Sequence, residues 1–358
     1  MKPFILIIFS ALTCLTISAQ SVELVFAGDA MLHKKQLEIA LKNNRWDFSE
    51  CFTAIQPQIE KADLSIVNLE LPLGGPPYSG YPTFCGPDAY AEALKSCGFD
   101  IFLCANNHIL DSRTRGARRT IQTLDSMKVY PMGIYRSRSE ASERHPLIIE
   151  RNHIRMAFLN YTYGTNGFKP EKDFIVNYID TAQIKKDIAM ARQKHADIII
   201  ATLHWGNEYV FHPSSAQKQI ARLLQREGVS VIIGSHPHVV QPFELKHNAK
   251  GVKTLLIYSL GNFISNMSAP HTTGGAIVRV KLTKKQNLTC IDTASYRLHY
   301  TQRYTNDWHP TSRVIDATAW AESDTTWSKA NQSRIKDYLD KTRNLFKLSN
   351  IGIYEENK

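Results

Sequence analysis

None of the six cysteines stands two residues from another, so no CxxC pair is available for a zinc–thiolate site. Setting aside Cys14 near the start, five remain: Cys51, Cys85, Cys97, Cys104 and Cys290. An odd number at such wide spacing excludes a dense disulfide framework. Buried free thiols are expected, with a Cys85–Cys97 bridge as the alternative. The chain also lacks internal repeats and low-complexity tracts, which excludes solenoids and long disordered linkers. It carries no visible nucleic-acid-binding module, so its basic balance is not extended to DNA or RNA.

What is present is ordinary globular material. With 358 residues, 43% of them hydrophobic and 21% charged, one large domain or two smaller ones can bury a full core. The formal net charge of +10 favours anionic partners such as phosphorylated molecules, acidic polymers or a membrane surface. The first residues, "MKPFILIIFSALTCLTISAQ", run from a basic start at Lys2 through an apolar stretch to the small residues Ser18 and Ala19. That pattern is a signal peptide over 1–19, too short for a stable membrane span, so an exported protein is expected, periplasmic or at the cell surface. Thr13 fits poorly before a lipidated cysteine, and Cys14 lies inside the apolar stretch; both argue against a lipid anchor.

From residue 22 to about 283, apolar runs of strand length alternate with amphipathic segments. Strands are predicted at 22–27, 64–69, 100–105, 196–203 and 229–234, and helices near 49–61, 87–97, 115–127, 181–194 and 214–227. Continuous Val/Ile/Leu runs indicate strands covered on both faces, and the alternation with helices indicates a layered α/β fold. Further strands at 146–150, 154–161, 254–260 and 275–282 suggest a second sheet. Beyond about Lys284 the sequence turns polar and ends in a predicted helix over 329–347, with a sparse apolar face of Ile335, Tyr338, Leu339, Leu345 and Phe346. Three parts are therefore expected: 1–19, a domain over 20–284, and a C-terminal extension over 285–358.

Each of the five best strands ends in metal-binding residue types. The first leads to Asp29 and His33, the second to Asn68 and Glu70, and the third to Asn106, Asn107, His108 and Asp111. The fourth leads to His204 and Glu208, and the fifth to His236 and His238. In open α/β sheets the carboxyl ends of the strands share one edge, so side chains more than 200 positions apart can converge there. Crowded carboxylates and histidines need a counter-charge, which a cation supplies. A ligand set of Asp, Glu, Asn and His suits manganese, iron or zinc, with magnesium less favoured. Six or seven candidates exceed one open site, and two divalent ions sharing a bridging carboxylate would use them.

The ordered motifs "GDAMLH", "NLE", "NNHILD", "HWGNEY", "GSHPHVVQP" and "YSLGNF" resemble those of the capsule-biosynthesis protein CapA family, linked with poly-γ-glutamate synthesis, over roughly residues 22 to 283. That family belongs to the calcineurin-like metallophosphoesterase superfamily. The resemblance implies a four-layer α/β/β/α sandwich with a C-terminal appendage and a two-metal site. It implies Asp29 and His238 at one metal, Asn107, His204 and His236 at the other, and Glu70 bridging. It also implies that His108 protonates the leaving oxygen. Two departures stand out. Asp29 and His33 are separated by three residues where most members have one, which leaves the reach of His33 open. Glu70 is one methylene longer than the usual aspartate.

Other residues near the motifs have two readings each. Glu208 either orients a ligating imidazole or is solvated. Trp205 either packs or holds substrate. Ser259, Asn262 and Phe263 read as structural. The turn-rich segment 74–87 reads as a rim loop. Arg113, Arg115, Arg118 and Arg119 form a solvated basic face or, through Arg118 and Arg119, an anion-binding pair. The functional expectation is a metal-dependent hydrolase of a phosphoester or related anionic substrate. The alternative is a transfer or export component of capsule or poly-γ-glutamate biosynthesis that binds an acidic polymer among cell-envelope partners.

Overall fold

The structure is a computed structural model, and it describes residues 20–356 except 249, 250, 287, 306, 308 and 321–326. The signal peptide expected over 1–19 lies outside the described residues. Two large sheets dominate the fold. In the first, strands lie in the order Pro310–Asp316, Leu288–Tyr304, Gly274–Lys285, Gln20–Ala30, Leu64–Leu69, Ile101–Leu103 and Tyr130–Met132. The last four run parallel, and the C-terminal three join them antiparallel. The second sheet has the order Phe243–His247, Lys253–Ile257, Val231–Ser235, Ile198–His204, Ile154–Thr162 and Leu147–Arg151, with four central parallel strands and antiparallel edges.

Alternating side chains explain the layers. Along the first strand, Val22, Leu24 and Phe26 enter a core between the sheets, where they meet Met156, Phe158, Ile200 and Ile233 of the second. Val25 and Ala27 face the other way, into a core shared with helices Asp88–Ser96 and Arg113–Ser126. The second sheet repeats the arrangement. Leu159, Ala201 and Ile232 pack outward against helices Thr181–Gln193 and Ser215–Arg226. The result is the expected four-layer α/β/β/α sandwich, and it explains why the strands read as continuous apolar runs.

Several elements differ from their predicted form. The helix expected over 49–61 is two short pieces, Ser49–Phe52 and Gln56–Ile59, the second with proline in its first turn. The boundary expected at 284 falls at a hairpin. Strands Gly274–Lys285 and Leu288–Tyr304 pair along their length, so the residues beyond it extend the first sheet. The C-terminal helix spans Lys329–Ser349 and buries Ile335, Tyr338, Leu339 and Phe346 in the core between the sheets. Phe346 lies 4.6 Å from the Phe243 ring, and the Tyr338 hydroxyl donates to the Gly275 carbonyl. At roughly 1.5–3 kcal/mol for each large apolar side chain buried, these contacts dock a helix whose sequence is mostly polar. All five described cysteines are free, four buried and Cys290 exposed. No helix among the described residues is long and apolar enough to cross a membrane.

Two glycines allow close approach beside the strand ends. In the pairing of the first strand with Leu64–Leu69 the register slips by one residue at Gly28, so Ala27 faces Val67 and Asp29 faces Asn68. This bulge re-aims Asp29. A Cβ on Gly28 would sit 1.9 Å from the Gly261 carbonyl oxygen, and one on Gly234 would sit 2.0 Å from that of Tyr258. Gly28→Ala is therefore expected to lose about 1–3 kcal/mol of stability through overpacking. Because Asp29 N–H donates to that same Gly261 carbonyl, the strand Asn262–Ile264 should be pushed away. Denaturant unfolding checks this, and a variant as stable as the parent would contradict the close approach.

Candidate metal centre

The parallel strands of both sheets deliver their carboxyl ends to one region. From the first sheet come Asp29, Asn68 and Glu70, with Asn107 on the turn after Ile101–Leu103. From the second come His204, the last residue of its strand, and His236 and His238 just beyond Val231–Ser235. Asp29, Glu70, Asn107, His204, His236 and His238 are all buried. Local backbone geometry at "GSHPH" is unusual, since His236 and His238 both have positive φ, 97° and 60°. Non-glycine residues rarely adopt that region, which costs on the order of 1–3 kcal/mol each. Two contacts to one carboxylate oppose that strain. Asp29 Oδ2 accepts from the His236 backbone N–H at 3.2 Å and lies 3.1 Å from His238 Nδ1.

Two overlapping groups have ligand atoms within 4.8 Å of one another: Asp29, Glu70 and His204, and Glu70, His236 and His238. Glu70 belongs to both. Its Oε1 lies 3.4 Å from His204 Nε2 and 3.8 Å from His238 Nε2. Asn107 Oδ1 lies 2.8 Å from His204 Nε2. Glu70 Oε1, His236 Nδ1 and His238 Nε2 are buried without a hydrogen-bond partner. Buried polar atoms are normally satisfied, so three orphans in one cluster of oxygen and imidazole donors fit a divalent cation.

The electrostatics point the same way. Burial pushes His204 down to about 3, and burial with the neighbouring imidazoles pushes His236 well below its ordinary value. Both are thus neutral near pH 7, the form that ligates metal. Burial works against a charged His238 too, but Glu70 and Asp29 outweigh it and hold His238 up at about 9. For Asp29, burial is outweighed by the bond and charge of His238, and its carboxyl lies below the usual range. Burial and the nearby Asp29 charge push Glu70 well above it. Without a cation the coupled Glu70–His238 pair therefore favours holding a proton.

The other motif residues surround this cluster. Asn68 Nδ2 donates to Asp29 Oδ1 at 2.8 Å and to Glu70 Oε2 at 3.3 Å, linking the two carboxylates. Asn106 donates to the Leu69 carbonyl and accepts from the His108 backbone N–H, which makes it a brace for the turn. His108 Nδ1 lies 2.7 Å from Asp111 Oδ2, which also accepts from Phe84 N–H. The rim segment 74–87 thereby packs on His108, with the Phe84 ring edge-on at 4.7 Å.

His33 belongs to neither ligand group. Its Nδ1 accepts from the Asn266 backbone N–H, and it sits at the start of helix Lys34–Ala40. The three-residue separation from Asp29 carries it onto that helix start. Trp205 is buried and donates to the Tyr258 carbonyl at 2.9 Å, a packing role. Glu208 is exposed, and no hydrogen bond among the described residues joins it to a ligating imidazole.

Both arginines have partners within the protein. Arg119 makes a two-pronged contact with Asp88, at 2.6 and 2.7 Å, and also donates to the Leu73 carbonyl. Arg118 donates to the Arg136 carbonyl. The expected anion-binding role is corrected for Arg119, because the Asp88 carboxylate already fills its fork; Arg118 stays partly exposed, with Glu171 at 3.7 Å.

Four contributors escaped the sequence reading. Asn262 Oδ1 lies 3.0 Å from His238 Nδ1. Ser235 Oγ lies 3.1 Å from His204 Nδ1. Tyr163 covers His236 with ring centroids 4.6 Å apart. Asn166 accepts from Asn107 Nδ2 at 3.2 Å and sits beside the His108 ring. Only the "GNF" turn offered a signal; a tyrosine and an asparagine in a loop after an edge-proximal strand offer none.

The family model described as bacterial capsule synthesis protein PGA_cap matches residues 23–267. The PGA biosynthesis protein CapA of Bacillus subtilis (strain 168) is 30% identical over 195 residues, covering 54% of this chain and 50% of that protein. The capsule biosynthesis protein CapA of Bacillus anthracis is 25% identical over 276 residues, covering 74% of this chain and 64% of that protein. The matches thus span about half to two-thirds of the length of these relatives. Among solved structures, the NAD nucleotidase of Haemophilus influenzae superposes with a TM-score of 0.51 at 12% identity, covering 94% of this chain and 64% of that one. That likeness concerns the fold alone, the α/β/β/α sandwich described above.

The protonation pattern predicts how a metal ion enters. Ligation needs neutral His238 and ionised Glu70, so Mn(II) uptake at pH 7 should release protons. Affinity should rise with pH and level off near 9, where His238 loses its proton unaided. Calorimetric titration in two buffers of different ionisation enthalpy measures the release. Identical heats in both would contradict the charge assignment.

Proposed function

The chain belongs to the bacterial capsule synthesis protein PGA_cap family, and on that premise we propose that it is a cell-envelope hydrolase using two divalent metal ions on a phosphoester or related anionic substrate. The observation that carries this reading is Glu70, shared by two overlapping ligand groups, with the His108–Asp111 pair on the turn that also carries Asn107. Manganese, iron or zinc would suit the oxygen and imidazole donors. Asp29, Glu70 and His204, with Asn107 beside His204, would hold one ion and Glu70, His236 and His238 the other, where the resemblance had implied Asp29 with His238. A pair of such ions supplies Lewis acidity, offsets substrate charge and lowers the pKa of water.

The chain's own residues supply the rest. The Asp111 carboxylate accepts the His108 Nδ1 proton, which orients the ring with Nε2 free to act. His108 Nε2 is then the atom that passes a proton to the leaving oxygen. As the phosphorus–oxygen bond breaks, water oxygen takes its place on phosphorus, and the alkoxide leaves as an alcohol carrying the proton from His108. Tyr163 and the segment 74–87 border the site and would limit the entry of bulk water.

A second reading rests on the relatives, which are named for capsule and PGA biosynthesis. In it the chain binds or transfers an acidic polymer, such as poly-γ-glutamate, at the cell surface without hydrolysis. The net charge of +10 suits both readings. Export, expected from residues 1–19, is part of the proposal in either case.

Metal analysis of the purified protein beside His236→Ala, with turnover assays on phosphomonoester, phosphodiester and γ-glutamyl substrates, separates them. The hydrolase reading expects bound metal, its loss in His236→Ala, and turnover of a phosphoester or related substrate. His108→Gln should keep the metal and lower kcat about 10²–10⁴-fold, most for poor leaving groups. Bound metal with no turnover on any of the three classes would sink hydrolysis in favour of polymer binding.

A further inference from the structure

We infer that a cavity of about 350 Å³ between the loop 268–273, the end of strand Leu288–Tyr304 and the helix Lys329–Ser349 is an oxyanion-binding pocket built around Arg303, made for a carboxylate or phosphate group. It stands apart from the metal residues and needs no hydrolysis to operate. The key observation is how Arg303 is accommodated. Its guanidinium donates to the Met267 carbonyl, while Nε is buried with no hydrogen-bond partner. Among the described residues no carboxylate forms an ion pair with it. A partly buried guanidinium with its Nε withdrawn from water is costly unless an anion completes its shell.

The rest of the pocket has the matching sign. Arg334 and Lys341 lie seven residues apart on the C-terminal helix and therefore on one face, and both line the cavity; His271 of the loop lines it too, pushed by burial towards its neutral, hydrogen-bonding form. The carboxylate present, Asp337, is already paired with Lys341 at 2.7 Å. Elsewhere the protein pairs even its half-exposed or exposed guanidiniums with carboxylates. A carboxylate partner raises Arg119, Arg136, Arg144 and Arg343, through Asp88, Glu140, Asp125 and Glu355 respectively, whereas burial lowers Arg303. A planar fork aimed at an unfilled cavity suits two parallel hydrogen bonds to a carboxylate or phosphate.

The same loop touches both sites. Asn262, whose Oδ1 lies beside His238, donates through Nδ2 to the Thr272 carbonyl at 3.0 Å. An anionic group seated on Arg303 would therefore lie against a segment that also braces the metal residues.

Calorimetric titration of the full chain with tripolyphosphate and with triglutamate tests the pocket. Each titration is repeated in the His236→Ala background, so that anions held at the metal centre are subtracted. Saturable one-to-one binding is expected for at least one probe, and whichever binds more tightly identifies phosphate or carboxylate as the source. Arg303→Met should weaken it about tenfold or more, as loss of a charge-assisted pair implies, and Arg303→Lys should weaken it less. Arg334→Gln, on the exposed side of the helix, keeps the test decisive if Arg303→Met fails to fold; it should weaken binding with an unchanged Tm. No saturable binding of either probe would overturn the proposal. So would wild-type affinity in Arg334→Gln together with any folded Arg303 variant.

Discussion

Asp29 and Glu70 are two carboxyl groups with no exposed surface, held close to three imidazoles. Like charges at this spacing repel, and burial penalises each of them. The protein by itself offsets this by favouring protons on the coupled Glu70–His238 pair, and three polar atoms stay without partners. A cation removes the conflict by replacing those protons. The loops around the cluster are arranged to keep this set of donors together despite its repulsion.

The constraint reaches into the backbone. Asp29 arrives through a bulge at Gly28, where only the absence of a side chain lets the Gly261 carbonyl approach. His236 and His238 are held at positive φ by bonds to Asp29. Strain at the ligands is thus borne by a contact between the two sheets, and the apolar core between them keeps that contact in register. The C-terminal helix strengthens the same core through Tyr338 and Phe346, and the extension also walls the pocket around Arg303. Its sequence read as an appendage docking through a sparse apolar face, and that face packs into the core between the sheets.

Much of the site was legible because strand ends in parallel sheets are chemically conspicuous. "GDAMLH", "NNHILD" and "GSHPH" each follow an apolar run, so Asp29, His108, His236 and His238 could be singled out one strand at a time. Residues that act through a single hydrogen bond were not legible. Asn166 and Tyr163 sit in an irregular loop after strand Ile154–Thr162, where neither spacing nor composition marks them. Arg119 was misleading for the opposite reason: a cluster of arginines in sequence says nothing about the Asp88 carboxylate that occupies its fork.

The sequence by itself determined the layered α/β class, the order of the strands that carry the donors, and the donor chemistry. Those follow from hydrophobic period and residue type, which are local. Only the tertiary structure decided which donors share a point in space. It left His33 at a helix start, joined Glu70 to both ligand groups, and put Asn262 beside His238. It also withdrew the Arg303 Nε from water without a carboxylate partner. Such placements depend on distances set by packing one sheet against another, and no local pattern in the chain encodes a distance between residues 200 positions apart.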